Sequence, residues 1–273
     1  MNKTISDLVQ RALEEDIGSG DVSASLVKDE PTIATIITKE PCVVCGLEYA
    51  HCAFLLLNER IEIDWLVNDG NLLQAGQKLC VIKGTSRSIL SAERVALNFL
   101  QTLSGVATQT HHLASMIADT KAKLLDTRKT LPGLRLAQKY AVSCGGGVNH
   151  RLGLYDCVML KENHIIAAGS IKQAAVLAHK KYPDLPLIVE VETLDQLAQT
   201  LVLKGITRVL CDNFSRQDLS QAVEMSKGKL PLEASGNIDQ TNILQVAKTG
   251  VDYISIGSIT KNIQSIDLSL RFS

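Results

Sequence analysis

Apolar residues recur at helical spacing over residues 4–15, where Ile5, Leu8, Val9, Ala12 and Leu13 share a face. Gly18 and Gly20 follow as stop signals. β-rich stretches come next, at residues 32–38, 42–45, 61–67 and 78–83, with a helix-like segment at 47–58 and a turn signal at Asn68-Asp69-Gly70. These first hundred residues predict a helix-plus-antiparallel-sheet domain. From residue 86 to about 117 the pattern turns helical, with an interruption near Ser104-Gly105. Beyond Lys121, strands are predicted at 122–125, 157–160, 187–191, 208–211, 230–233 and 253–256. Amphipathic helices are predicted at 170–181, 194–204, 216–225 and 239–249. Such alternation over ~140 residues builds a parallel sheet.

Polar groups follow nearly every one of these strands. Asp126, Arg128 and Lys129 follow the first, and Lys161-Glu162-Asn163-His164 the second. Glu190 and Glu192 close the third, Asp212-Asn213 the fourth, Ser235-Gly236 the fifth and Gly257-Ser258 the sixth. Chemistry gathered at successive C-terminal strand ends marks an α/β barrel with its active site on that face. A doubly wound sheet would collect its site at one switch point instead. The barrel is the favoured fold.

Composition narrows the class. Hydrophobic residues make up 45% and charged residues 21%, enough for a core and too little charge for disorder. With only 4% aromatic, that core is aliphatic. The 28 Lys+Arg balance 29 Asp+Glu, which excludes a nucleic-acid or membrane-surface binder relying on a bulk positive field. No apolar run approaches the ~20 residues of a bilayer span. The polar, acidic residues 1–16 do not read as a signal peptide, so a soluble, cytoplasmic protein is expected. The cysteines, seven in number, do not suggest a disulfide framework. Cys42 and Cys45 have metal-ligand spacing, but no second close pair accompanies them, and an apolar strand is the better reading.

Charge is nevertheless concentrated in one place. Residues 126–164 carry Arg128, Lys129, Arg135, Lys139, Arg151 and Lys161, with His150 and His164, against Asp126, Asp156 and Glu162. That suits small polyanionic ligands. Arg135 and Lys139 fit a solvated helix face, whereas Arg128, Lys129 and Lys161 stand just after buried strands, where a scaffold has no use for cations. The loops Glu233-Ala-Ser235-Gly236-Asn237 and Ser255-Ile256-Gly257-Ser258 follow the last two strands, the usual phosphate position in such barrels. Glu192 and Asp212 are oxygen ligands suited to Mg²⁺. The residues alone thus point to a phosphorylated substrate, a Mg²⁺ ion and a second anion held by Arg, Lys and His.

Several motifs resemble the quinolinate phosphoribosyltransferase family over essentially the whole chain. They are Ser91-Ala-Glu-Arg94, Asp126-Thr-Arg128-Lys129-Thr, Asn149-His150-Arg151, Leu160-Lys161-Glu-Asn-His164, Glu190-Val-Glu192, Cys211-Asp212-Asn213 and Glu233-Ala-Ser235-Gly236. Departures are Ser23, where Thr is usual, and Thr260-Lys261-Asn262, both set apart from motifs carrying chemistry. The resemblance implies phosphoribosyl transfer from 5-phosphoribosyl-1-pyrophosphate to quinolinate with decarboxylation, aided by Mg²⁺, in NAD biosynthesis. It also implies an N-terminal α/β sandwich over residues 1–104, joined by the tail 264–273, and an incomplete seven-stranded α/β barrel over residues 105–263. Only six of those seven strands are visible in the pattern.

Carried over residue by residue, Arg94, Arg128, Lys129, His150, Arg151 and Lys161 would bind quinolinate, with Arg94 reaching across a homodimer interface. Lys129, Lys161, Glu192, Asp212, Ser235, Gly236, Asn237, Ser255 and Gly257 would bind phosphoribosyl pyrophosphate. Glu192 and Asp212 would hold Mg²⁺, partly through substrate and water, and Lys129, Lys161, Glu192 and Asp212 would be catalytic. Assembly of the dimer into a hexamer is left open. Three rivals remain: a related phosphoribosyltransferase for another aromatic acid, a Schiff-base aldolase using Lys161, and a non-catalytic binding module.

Overall fold

A computed structural model describes residues 3–273; Met1 and Asn2, at the head of the polar N-terminal stretch, lie outside the described residues. The chain divides into two units, residues up to Gln109 with Ile263–Ser273, and Thr110–Asn262.

The first unit begins with α1 (Lys3–Ile17), which buries the predicted Ile5, Val9 and Leu13. The chain continues through β1 (Pro31–Thr38), β2 (Cys42–Val43), α2 (Leu47–Leu57), β3 (Glu62–Trp65), β4 (Leu72–Leu73), β5 (Lys78–Thr85) and α3 (Ser86–Met116). A four-stranded antiparallel sheet runs in the order Leu268–Phe272, β1, β5, β3, while β2 pairs with β4 alone. The tail therefore contributes an edge strand, with Ala34 opposite Phe272 and Thr38 opposite Leu268. Cys42, Val43, Val44 and Cys45 are all buried in the core.

The interruption expected near Ser104-Gly105 is absent, and α3 is continuous. Both residues serve tertiary contacts instead. Ser104 Oγ accepts the Cys45 N–H at 3.0 Å, and a Cβ on Gly105 would collide with the Gln264 carbonyl. Glycine is needed there for backbone approach, not to end a helix.

The second unit runs β6 (Lys123–Leu125), α4 (Arg135–Cys144), β7 (Val158–Leu160), α5 (Glu162–Ala168), α6 (Ile171–Lys181), β8 (Leu187–Val191), α7 (Leu194–Leu201), β9 (Arg208–Asp212), α8 (Arg216–Ser226), β10 (Leu232–Ser235), α9 (Ile243–Ala247), β11 (Tyr253–Ser255) and α10 (Ser258–Lys261). Six parallel strands pair in the order β6, β11, β10, β9, β8, β7. The seventh strand that the resemblance implied is reduced to one parallel bridge, Val148 to Leu125. The sheet curls as an incomplete barrel, with no ladder between β7 and the Val148 segment among the described residues.

Ser170, Thr193 and Ser215 cap α6, α7 and α8, each side chain accepting a backbone N–H three residues on. The last predicted helix starts late, at Ile243, because Asp239 folds a turn by accepting the Thr241 N–H and hydroxyl. Along the strands, alternate residues share a face, so Arg208, Leu210 and Asp212 are in phase, as are Glu233 and Ser235, Tyr253 and Ser255, and Met159 and Lys161. Cys157, Ile188, Leu210 and Met159 pack together as the apolar part of that face. Its polar members at the strand ends, Lys161, Asp212, Ser235 and Ser255, reach the C-terminal mouth.

Candidate active site

One cavity of about 410 Å³ opens at that mouth, within the second unit. It gathers Arg128, Lys129, His150, Arg151, Lys161, Asp212, Ser235 and Ser255, residues scattered over 128 positions of sequence, together with Thr127, Met159, Glu190, Leu210 and Glu233. A second cavity of about 200 Å³ shares Ser235 and is lined by Asn213, Gly236 and Asn237 among others. Gly257 adjoins the first, since a Cβ there would sit 2.7 Å from Lys129 Cδ.

The cations are placed by local hydrogen bonds. The Lys129 N–H donates to Thr127 Oγ1 at 3.0 Å, and the Lys129 carbonyl accepts from Thr260 Oγ1 at 2.8 Å. Thr260 therefore touches a motif carrying chemistry, contrary to expectation; it is buried, and its own carbonyl accepts from Gln138. Arg151 sits in a loop that Asp156 folds by accepting the Leu152 and Gly153 N–H groups. Burial first, and the neighbouring Arg128 charge second, pull the Arg151 guanidinium below its usual pKa. Arg128 Nε is buried and has no hydrogen-bond partner among the described residues. Two crowded guanidinium groups, one with an idle donor, make a wall that favours an anion.

Lys161 precedes α5, its N–H held by His164 Nδ1 at 3.1 Å. Its ammonium lies 2.6 Å from Glu190 Oε2. An ion-paired ammonium has no free lone pair, which disfavours the Schiff-base aldolase. Glu190 is the residue that sequence reasoning passed over. Glu190 and Glu192 are in phase, but β8 ends at Val191, so Glu190 lines the cleft while Glu192 is exposed beyond the strand and is not among the lining residues.

Lys139 is a clear correction. It is 1% exposed, not on a solvated face, and its ammonium reaches Asp126 Oδ1 at 2.5 Å and the His150 carbonyl at 3.0 Å. Burial pushes the Asp126 carboxyl up and the Lys139 amine down. Arg135 is half-buried, bonded to Thr130 and the Leu152 carbonyl. The expected phosphate loop is built on backbone geometry. Gly236 and Asn237 both adopt positive φ, 93° and 50°, and a Cβ on Gly236 would collide with the Asn213 side chain.

The donor set suits a hard divalent cation. Glu190 and Glu233 are ion-paired to protein cations, whereas Asp212 accepts only the Asn213 amide at 2.8 Å and has no protein cation within ion-pair distance among the described residues. No group of three or more potential metal ligands occurs among the described residues. Mg²⁺ fits such a site, since one or two carboxylates plus substrate oxygens satisfy it. Arg94 is exposed on α3 in the first unit, and Ser91 beside it donates to Asp21 Oδ2 at 2.9 Å.

Family models described as "Quinolinate phosphoribosyl transferase, C-terminal domain" and "N-terminal domain" match residues 106–271 and 21–104. The nicotinate-nucleotide pyrophosphorylase (carboxylating) of Mycobacterium leprae (strain TN) is 39% identical, the match covering 97% of this chain and 95% of that protein. A probable nicotinate-nucleotide pyrophosphorylase (carboxylating) of Bacillus subtilis (strain 168) is 37% identical over 97% of this chain and 92% of its own length. Among solved structures, the nicotinate-nucleotide pyrophosphorylase from Francisella tularensis superposes with a TM-score of 0.98 at 48% identity, covering 100% of this chain and 97% of that one.

Proposed function

The chain belongs to the quinolinate phosphoribosyltransferase family, and on that premise we propose how its cleft performs the family's reaction. It transfers the phosphoribosyl group of 5-phosphoribosyl-1-pyrophosphate to quinolinate with decarboxylation, giving nicotinate mononucleotide, pyrophosphate and CO₂. The observation that carries the residue assignment is the single cleft lined by Arg128, Lys129, Arg151 and Lys161. Quinolinate bears two adjacent carboxylates, and forked guanidinium groups match carboxylates best. Arg128, Arg151 and Lys161 take this dianion, Lys161 exchanging Glu190 for a substrate carboxylate. Lys129, Ser235, Gly236, Asn237, Ser255 and Gly257 take the phosphoribosyl phosphates.

Asp212, with Glu192 at the rim acting through water, would hold Mg²⁺. Bound there, the ion supplies charge compensation for the pyrophosphate leaving group. The chain's own groups do the positioning. The cationic wall aligns the pyridine nitrogen with the anomeric carbon, and the freed Glu190, with Asp212, favours positive charge developing on the ribose. The bond from that carbon to pyrophosphate breaks, its electron pair leaving with pyrophosphate, as the nitrogen lone pair forms the new bond. The ring nitrogen is then cationic and stabilises the electron pair left on the adjacent ring carbon when its carboxylate departs as CO₂; that pair takes up a proton from solvent. Positioning and preorganised charge supply the acceleration.

Two further assignments belong to the same reading. Exposed Arg94 serves the cleft of a second copy in a homodimer, a common symmetric assembly. A reducing, cytoplasmic location agrees with seven cysteines of which six are buried; no helix of the described residues is long and apolar enough to cross a membrane. The test is to incubate the protein with quinolinate, phosphoribosyl pyrophosphate and Mg²⁺. Nicotinate mononucleotide, pyrophosphate and CO₂ should form in equal amounts, and not in excess chelator. Binding without pyrophosphate release would leave only a binding module.

A further inference from the structure

His150 is expected from its motif to be one more cation facing quinolinate, yet each of its polar atoms is already engaged inside the protein. Its backbone N–H donates to Asp126 Oδ1 at 2.7 Å, and its carbonyl accepts from Lys139 at 3.0 Å. Ring Nδ1 accepts the Arg151 backbone N–H at 2.7 Å. Ring Nε2 faces Glu233 Oε2 at 3.4 Å. Nδ1 must carry its lone pair to accept from an N–H, so the ring proton sits on Nε2, toward the carboxylate. An imidazolium would set two N–H groups against each other at Arg151.

Glu233 is the base of this arrangement. It is completely buried, and its Oε2 lies 3.0 Å from Arg208 Nε. The Arg208 guanidinium rests 4.8 Å above the Tyr253 ring and 3.4 Å from His150 Nε2. Burial alone would raise the Glu233 carboxyl, but the hydrogen bond from the imidazole and the Arg208 charge oppose burial, and the carboxyl lies below the ordinary glutamate range. The charged or titratable groups around the imidazole are thus Glu233 from β10, Arg208 from β9, Asp126 after β6, Lys139 from α4 and Arg151 beside it.

We propose that Glu233 and Arg208 form a positioning pair that holds His150 as a neutral imidazole with its proton on Nε2, and that His150 in turn anchors the Arg151 backbone that presents the guanidinium to quinolinate. His150 then contributes no charge to the substrate dianion. Its work is done through Arg151, and Glu233 acts at one further remove. The consequence for Arg151 rests on the quinolinate reading; the state of the imidazole does not.

Nitrogen-15 NMR of the intact protein, with each imidazole assigned through its own backbone, tests the imidazole state without any variant. Under the conditions of the activity assay His150 should show a pyridine-like Nδ1 and a pyrrole-like Nε2. The proton on Nδ1, or on both nitrogens, would overturn the proposal. Glu233→Gln then tests positioning. It should raise the quinolinate KM roughly tenfold, the scale of a disturbed buried charged contact, with a distinctly smaller effect on the phosphoribosyl pyrophosphate KM through the Glu233 contact with Ser255. Adding Arg208→Gln should restore part of the loss, because the stranded arginine charge is removed with it. Equal losses for both substrates with a lower melting temperature would mean a merely structural glutamate. If no substrate turns over in the unmodified protein, the quinolinate reading fails while the NMR result still decides the imidazole.

Discussion

Lys139→Met removes the only cation paired with Asp126 among the described residues and replaces it with an apolar chain of similar length. Asp126 is fully buried; its Oδ1 would retain the His150 N–H, and its Oδ2 has no hydrogen-bond partner among the described residues. Losing one partner of a buried pair costs about 3–5 kcal/mol. The pH dependence follows from Asp126 itself. Burial already pushes this carboxyl up in the presence of Lys139, and loss of the ammonium pushes it further the same way. A carboxyl raised in the folded state penalises folding above its unfolded pKa and not below it, so the deficit should be full at pH 7 and shrink as the pH falls. At roughly 2–4 °C per kcal/mol for a unit of this size, a loss of about 3–5 kcal/mol lowers the melting temperature by ~6–20 °C at pH 7, and by distinctly less at pH 5.5. Thermal unfolding followed by circular dichroism at the two pH values reads this directly. A deficit of the same size at both would refute the buried-carboxylate reasoning, and no deficit would refute the pair.

Glu190→Gln should lower kcat/KM by roughly one to two orders of magnitude, because it removes a cleft charge opposite the developing ribose cation; Glu192→Gln, outside the lining residues, should cost distinctly less, and equal losses would return Glu192 to the cleft. Gly257→Ala should raise the phosphoribosyl pyrophosphate KM without loss of stability, since its φ of −76° accepts alanine while the new methyl displaces Lys129; an unchanged KM would separate Lys129 from the phosphates. Mixing inactive Arg94→Ala with inactive Lys129→Ala under subunit exchange should recover up to about a quarter of the activity if sites are shared across a two-fold dimer. No recovery despite verified exchange would place Arg94 in its own subunit's cleft or outside any.

What the residues disclosed before folding, and what they hid, follows sequence distance. Arg128, Lys129 and Lys161 were legible because each sits a few positions past an apolar strand, so local pattern alone sends it to the mouth. Asp212, Ser235 and Ser255 were legible for the same reason. Lys139 was not, because its helix periodicity is compatible with a solvated face until Asp126, on another element, is brought against it. Glu192 was preferred over Glu190 because alternation gives both the same phase; only the end of β8 at Val191 separates them. The contacts that occupy His150 come from residues as far apart as Asp126 and Glu233, and no single stretch of sequence contains them. Gly105 shows the opposite failure, a local break signal overridden by the close approach of residue 264.

The central claim is that the cleft reads two adjacent carboxylates at once. Steady-state kinetics with quinolinate and with nicotinate, at fixed phosphoribosyl pyrophosphate and Mg²⁺ and at pH 7, measure it. Nicotinate has one carboxylate and would leave part of the Arg128, Arg151 and Lys161 cluster unmatched, a loss of about 1–3 kcal/mol. Quinolinate should therefore show a kcat/KM at least roughly tenfold higher, with CO₂ released once per nucleotide formed. Equal kcat/KM for the two acids would contradict the account.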